Sequence, residues 1–274
     1  MSPEYAAALR ILKDQVALRE LDLSDPQLAP LKDRTWDQIV DAWQDPQMKQ
    51  WIDNARLGSV TLEQAAKGLA LSNRLEKDNL HKAFAGETTE VSETSHPEIF
   101  HFLRQPSVAD PYKPLPAVRI VQNDIPQIAY STPTLTDPPG TKSYIIMTTG
   151  FMKERTPEEI QAHIAEYVAL MQSGYPDDLA ARRKTYLDAD RRVAGILGKG
   201  AVEADLHRQE DDDRARRKRL RATLPSEAER NLAKIGDALY DLLIAGQPEV
   251  SERIRALDTP PLQAGLAAGP PTKP

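Results

Sequence analysis

The chain has 274 residues, 40% of them hydrophobic and 28% charged, with a net charge of −6. These values describe a globular chain of one large domain or a domain with an appended helical segment, and they argue against a general nucleic-acid binder. Cysteine is absent, which excludes disulfides, thiolate zinc sites and a cysteine nucleophile. No run approaches the roughly 20 apolar residues of a membrane-spanning helix, no charged-plus-apolar leader follows Met1, and the expected location is the cytoplasm.

Residues 4–22 space Leu9, Leu12, Val16 and Leu21 as one face of a helix, and Ser24-Asp25-Pro26 ends it. Thr35 caps a second helix carrying Trp36, Ile39, Val40 and Trp43, and Asp45-Pro46 opens a third with Met48, Trp51 and Ile52. The tryptophans between 36 and 51 form either a small helical core or an exposed aromatic patch. Thr61-Leu62-Glu63-Gln64 starts a fourth helix that runs to about Ala85. The polar stretch GETTEVSET, 86–94, reads as a linker. It divides an N-terminal helical segment, 1–90, from a second domain, 95–258.

In that second domain His96 to Leu103 predicts a short helix, and 115–121, 127–131 and 143–148 predict strands. Thr136-Asp137-Pro138-Pro139-Gly140 would turn between the last two. Thr149-Gly150 reads as a further turn. Thr156-Pro157-Glu158-Glu159 combines an N-cap, a proline at the first helical position and a capping-box glutamate. The helix it opens ends at Gly174, with Pro176 beyond. A following helix carries Tyr186-Leu187-Asp188-Ala189-Asp190-Arg191. Residues 202–221 begin acidic and end basic, which fits a solvated helix with i, i+4 ion pairs or, as the alternative, an Arg214–Arg221 patch for an acidic partner or for nucleic acid, the latter without interleaved aromatics to favour it. Ser226 to Ala245 gives an amphipathic helix with Leu232, Ile235, Leu239, Leu242 and Leu243, ending at Gly246. The proline-rich stretch from Thr259 predicts a disordered tail, 259–274.

The order strand, Thr-Thr-Gly, TPEE-capped helix and DADR-bearing helix resembles the zinc metallopeptidases related to HtpX and the CAAX prenyl protease. The segment Gln247 to Leu257 is similar to that family's closing motif, with Gln247 in place of a histidine. The resemblance implies a mostly helical α+β zincin-like scaffold with a small sheet. It also implies a HExxH helix that supplies two zinc ligands and a general base, and a third ligand on the next helix. Aligned on TPEE, HExxH falls on Glu166-Tyr167-Val168-Ala169-Leu170, and the third ligand falls on Tyr186. Every expected catalytic group is thus replaced. Asp188 and Asp190 stand as remnants that would support a ligand in the family, and without one Asp190 is expected to pair with Arg191, Arg192 or a helix end. The replaced positions would fill the former metal cavity with apolar bulk.

The expected function is therefore that of an inactive peptidase-like protein that binds a peptide or protein partner or serves as a scaffold, with no cofactor. Strand residues Tyr144, Ile145, Ile146 and Met147 would line the peptide groove by strand addition. One alternative is an active zinc peptidase using His163 and Glu166, an i, i+3 pair. Against it stands a simple interior role for His163. A second alternative makes residues 1–85 a helical interaction module.

Overall fold

The computed structural model describes residues 2–17, 21–44, 46–131, 142–174, 179–240 and 248–258. The expected turn at 136–140, Pro176, the helix end at 241–246, Gln247 and the tail lie outside them. The architecture is mostly helical with one small mixed sheet.

Three threonines set the starts of three helices. α2 (Trp36–Trp43), α4 (Leu62–Ala83) and α7 (Pro157–Ser173) each begin at a threonine, Thr35, Thr61 and Thr156, whose side chain accepts from the N3 amide. The N3 side chain, Gln38, Gln64 or Glu159, returns a bond to the cap amide and completes the box. Gly174 closes α7 at φ +77, a left-handed conformation that glycine adopts without a Cβ penalty.

The sheet has strand order β1-β2-β4-β3. β2 (Ala117–Val121) runs parallel to β4 (Tyr144–Thr148), and β3 (Ile128–Ser131) runs antiparallel to β4 on its other side. The polar stretch read as a linker contributes β1 (Thr88–Glu90), which pairs with β2 in the register Thr88↔Val121. Its side chains are all exposed, so an edge strand here carries no apolar alternation to announce it. Thr149-Gly150 is not a turn: it opens the short helix α6 (Thr149–Lys153), capped by Thr148. Together with α5 (Pro97–Leu103), the sheet and α7 enclose one core built on Phe102, Ile120, Ile145, Met147, Phe151, Ile164 and Val168.

A second core joins α1 (Pro3–Ala17), α2, α3 (Pro46–Asn54) and α4 around Leu12, Leu31, Trp36, Ile39 and Ile52. Trp36 is fully buried and Trp43 packs against the same core; the side chain of Trp51 is outside the described set. This core is completed from far along the chain. α10 (Glu227–Leu239) contributes Leu239 and Ile235, so the cores do not divide at residues 86–94. α4 and α10 meet backbone to backbone at Gly68 and Gly236. A Cβ on Gly236 would lie far inside van der Waals contact of the Gly68 carbonyl oxygen, and one on Gly68 would strike the carbonyl oxygen of Leu232. The crossing is tied by Ser72, whose hydroxyl donates to Asp237, and by Arg221, which pairs with the same carboxylate.

Gly236→Ala should therefore force the helices apart and cost at least about 2 kcal/mol. Gly195→Ala is the control. Gly195 lies inside α8 (Leu179–Leu197) with nothing within 4 Å of the added methyl, and alanine there should stabilise by about 0.5–1 kcal/mol. Paired urea denaturation curves measure both.

Candidate functional site: a cavity floored by a buried charge network

α7, α8, α9 (Lys199–Ala222) and α11 (Val250–Ala256) converge beside the outer edge of β3. A cavity of about 990 Å³ opens there. Its walls include Ile128 and Tyr130 of β3, His163, Glu166, Tyr167 and Leu170 of α7, Tyr186 of α8 and Arg253 of α11. β3 is held in place by Thr148, whose hydroxyl accepts from the Gln127 amide at 3.0 Å and donates to the Ile125 carbonyl at 2.7 Å.

The floor is a network of charges carried by four helices. Arg253 is inaccessible to solvent. Its Nε and Nη2 donate to the two oxygens of Asp190 at 2.8 and 2.6 Å, and Nη2 also donates to Glu166 Oε1 at 2.5 Å. The other Glu166 oxygen accepts from Gln209 at 3.1 Å, and Gln209 donates to Asp205 at 2.8 Å. His163 Nδ1 hydrogen-bonds the Glu159 carbonyl oxygen at 3.2 Å and lies 2.7 Å from Asp205 Oδ1, close enough for an ion pair when the ring is protonated. The side chains of Asp190 and Asp205 are 2% and 3% exposed, which makes the network a low-dielectric one in which each lost partner is costly.

One guanidinium serves two carboxylates, and they titrate apart. Burial raises Glu166, but Arg253, His163 and the Gln209 hydrogen bond outweigh it and hold the carboxyl below the usual glutamate range. Burial pushes Asp190 up, with the neighbouring Glu166 and Asp205 charges cancelling part of the pull from Arg253. Burial also works against a charged His163, but Asp205 and then Glu166 overcome it and leave the imidazole above its ordinary value. Tyr167, desolvated and close to Glu166, is driven far up and stays a neutral phenol.

The structure thus gathers most of the residues singled out in the sequence, but not as expected. Tyr167, Leu170 and Tyr186 do pack together, joined by Ala169 and Ala189. Tyr167 stacks on Tyr130 at 4.7 Å between centroids. The centre of the site is nevertheless ionic rather than apolar bulk, because Arg253 enters it and leaves Glu166 and Asp190 paired. Asp190 is not matched to Arg191 or Arg192. Arg191 pairs with Asp188 and the Ala256 carbonyl, and Arg192 donates to the Val108 carbonyl. Tyr144, Ile145, Ile146 and Met147 cannot receive an added strand, since β4 is interior and both its edges are bonded. Among the described residues the open edge beside the cavity belongs to β3. Four residues of the Arg214–Arg221 patch pair within the chain, Arg214 with Glu210 and Asp211, Arg216 and Arg217 with Asp213, and Arg221 with Asp237, while Lys218 and Arg219 are exposed.

Arg253, Asp205 and Gln209 were not singled out in the sequence. A signal for the last two exists: Val202, Asp205, Leu206 and Gln209 repeat at i, i+3, i+4 and i+7 within an otherwise charged helix, the spacing of a buried face. The positions that the resemblance assigns to zinc do not fit it. Both oxygens of Glu166 are engaged, Tyr167 is a neutral phenol, Leu170 offers no donor atom, and a guanidinium already stands beside the carboxylate. Among the described residues no group of three or more His, Asp or Glu side chains is placed to hold a metal ion.

Fold and site together define a mostly helical α+β protein with a cavity over a buried ion network. No protein-family model matches the chain, and no curated protein or solved structure matches it either. No described helix is long and apolar enough to cross a membrane.

Arg253→Met should destabilise by about 3–5 kcal/mol, because it strands two buried carboxylates. Adding Glu166→Gln and Asp190→Asn should recover a large part of that loss, measured by chemical denaturation. The His163 charge makes a separate contribution. Its folded pKa is raised, so that stability is fully present below the ordinary histidine value of about 6.5 and declines as pH rises through the folded value. Melting temperatures across that range should fall in the parent and flatten in His163→Gln.

Proposed function

We propose that the chain is a non-catalytic, peptidase-like binding protein. In this reading it is a degenerate relative of the HtpX-type zincin scaffold that holds an extended peptide segment along the outer edge of β3, over the cavity. The observation that carries the reading is Arg253. Its guanidinium bridges Glu166 and Asp190 at the positions the resemblance gives to a zinc ligand and to its supporting aspartate. A fixed internal cation there satisfies carboxylates that a metal would otherwise need, and it repels a divalent ion at the same spot.

General-base chemistry is also unsupported. Tyr167 keeps its proton, and Glu166, though ionised, has each oxygen bound by a side-chain donor. What remains is shape: β3 is the last strand on its side of the sheet among the described residues, with Ile128 and Tyr130 lining the cavity next to the Tyr167 ring. Backbone bonding to the edge would supply affinity, and the cavity would read side chains. The partner is a peptide or protein segment. A cytoplasmic setting and a metal-free resting state belong to the same proposal.

A direct test mixes the full chain with fluorescein-labelled unfolded casein, with added zinc or with chelator. The expected result is retention of the polypeptide without cleavage, at an affinity indifferent to zinc. Cleavage that zinc restores and chelator abolishes would overturn the proposal, and so would one tightly held zinc per chain by elemental analysis.

A further inference from the structure

We propose that the chain forms a two-fold dimer in which Tyr112 of each copy enters a pocket beside α5 of the other. Among the described residues the exposed large hydrophobic side chains are Tyr112 and Leu115. Tyr112 is 95% exposed, so its ring stands almost wholly in solvent. Aromatic rings carry a large apolar area and are frequent anchors of protein interfaces.

The ring is held out by a fixed turn. The Tyr112 N–H donates to Asp110 Oδ1 at 2.9 Å, and the Lys113 N–H donates to the Asp110 carbonyl at 3.1 Å. Pro111 stands at the second position of this turn, where its locked φ is already the one required. The turn is pinned to the end of α7. The Asp110 N–H donates to Gln172 Oε1 at 3.0 Å, and Lys113 Nζ donates to the Gln172 carbonyl at 2.5 Å. Little backbone freedom is left to lose when the ring is bound, which favours it as an anchor.

The socket is close by. A pocket of about 200 Å³ lies between α5 and the start of β2, lined by Phe100, Leu103, Leu115, Pro116 and Val118. It has room for one aromatic side chain. Arg104, also in its lining, lies 3.5 Å over the Phe100 ring and is exposed, so an entering ring can stack on the same guanidinium. Charge favours the match. Arg104 and Lys142 outnumber Glu90 in the pocket lining, and among the described residues no ion pair engages Arg104, Lys142 or Asp110. Seating Tyr112 brings the Asp110 carboxylate to that cationic rim.

A second copy of the chain fits because one short stretch supplies both halves. Leu115 lines the socket and follows Tyr112 by three residues, so anchor and socket lie within about 10 Å along the backbone. A two-fold axis between them exchanges the rings reciprocally and closes the assembly at two copies. The pocket shares no lining residue with the larger cavity, so this contact holds whether or not that cavity takes a peptide.

Sedimentation velocity of the full chain, from micromolar to millimolar concentration, tests this. A concentration-dependent monomer–dimer equilibrium is expected. Tyr112→Ala should weaken it at least about thirtyfold. Arg104→Glu sets an anion against the partner's Asp110 and should weaken it about tenfold. Both side chains are exposed, so both variants should melt with the parent. Mixing the two should give a dimer tighter than that of Tyr112→Ala alone, because the mixed pair keeps one tyrosine and one intact pocket. A chain that stays monomeric throughout overturns the proposal. So does a dimer indifferent to Tyr112→Ala, or a mixture no tighter than that variant by itself.

Discussion

A guanidinium with no access to water holds four helices in register. Arg253 reaches from α11 to Asp190 on α8 and to Glu166 on α7, and Gln209 extends the chain of bonds to Asp205 on α9. Each of these groups would be strongly destabilising alone at that depth. They are tolerable only together, which means the helix positions are fixed by the need to complete the set. A buried network of this kind is weak evidence for high stability and better evidence for a defined arrangement. Here the defined arrangement is the floor of the cavity.

In the zincin-like reading proposed above, the same constraint would give the site the outline of a metal centre with a different chemistry. Carboxylates on adjacent helices need a cation between them. Zinc supplies two charges and open coordination positions, and hence reactivity. A guanidinium supplies one charge in a planar fork, here bound to its carboxylates through Nε and Nη2, and has nothing to offer as a Lewis acid. Replacing ion by side chain would keep the packing of the helices and remove the reactive position. The cavity and the neighbouring strand edge would survive, since neither depends on which cation lies below.

Local features were legible in the sequence where local rules govern. The threonine boxes at Thr35, Thr61 and Thr156 fix helix starts because the bonds involved span three residues. The three strands β2, β3 and β4 were legible from their apolar, β-branched content. β1 was not, since its exposed TTE sequence has no buried face and becomes a strand only through its partner β2. Strand order was equally hidden: nothing in Tyr144 to Met147 says that β3 folds back to cover its outer edge. The part that α10 plays in the second core was hidden for a related reason. Gly68 and Gly236 are far apart in sequence, and a glycine inside a helix signals a cost until the helix that crosses it is known. Tyr186 and Leu170 were recognisable as non-ligands, but Arg253 lies far along the chain from Glu166 and was visible only as part of a closing motif.

The central claim is that Arg253 is a fixed internal cation. The most direct measurement is proton exchange at its Nε–H in protein labelled with ¹⁵N-arginine, with the resonance assigned by its loss in Arg253→Lys. The account predicts a sharp signal protected from exchange with solvent, persisting whether or not zinc is added. An Arg253 Nε–H that exchanges as fast as a surface arginine, or one released from protection when zinc is added, would contradict it.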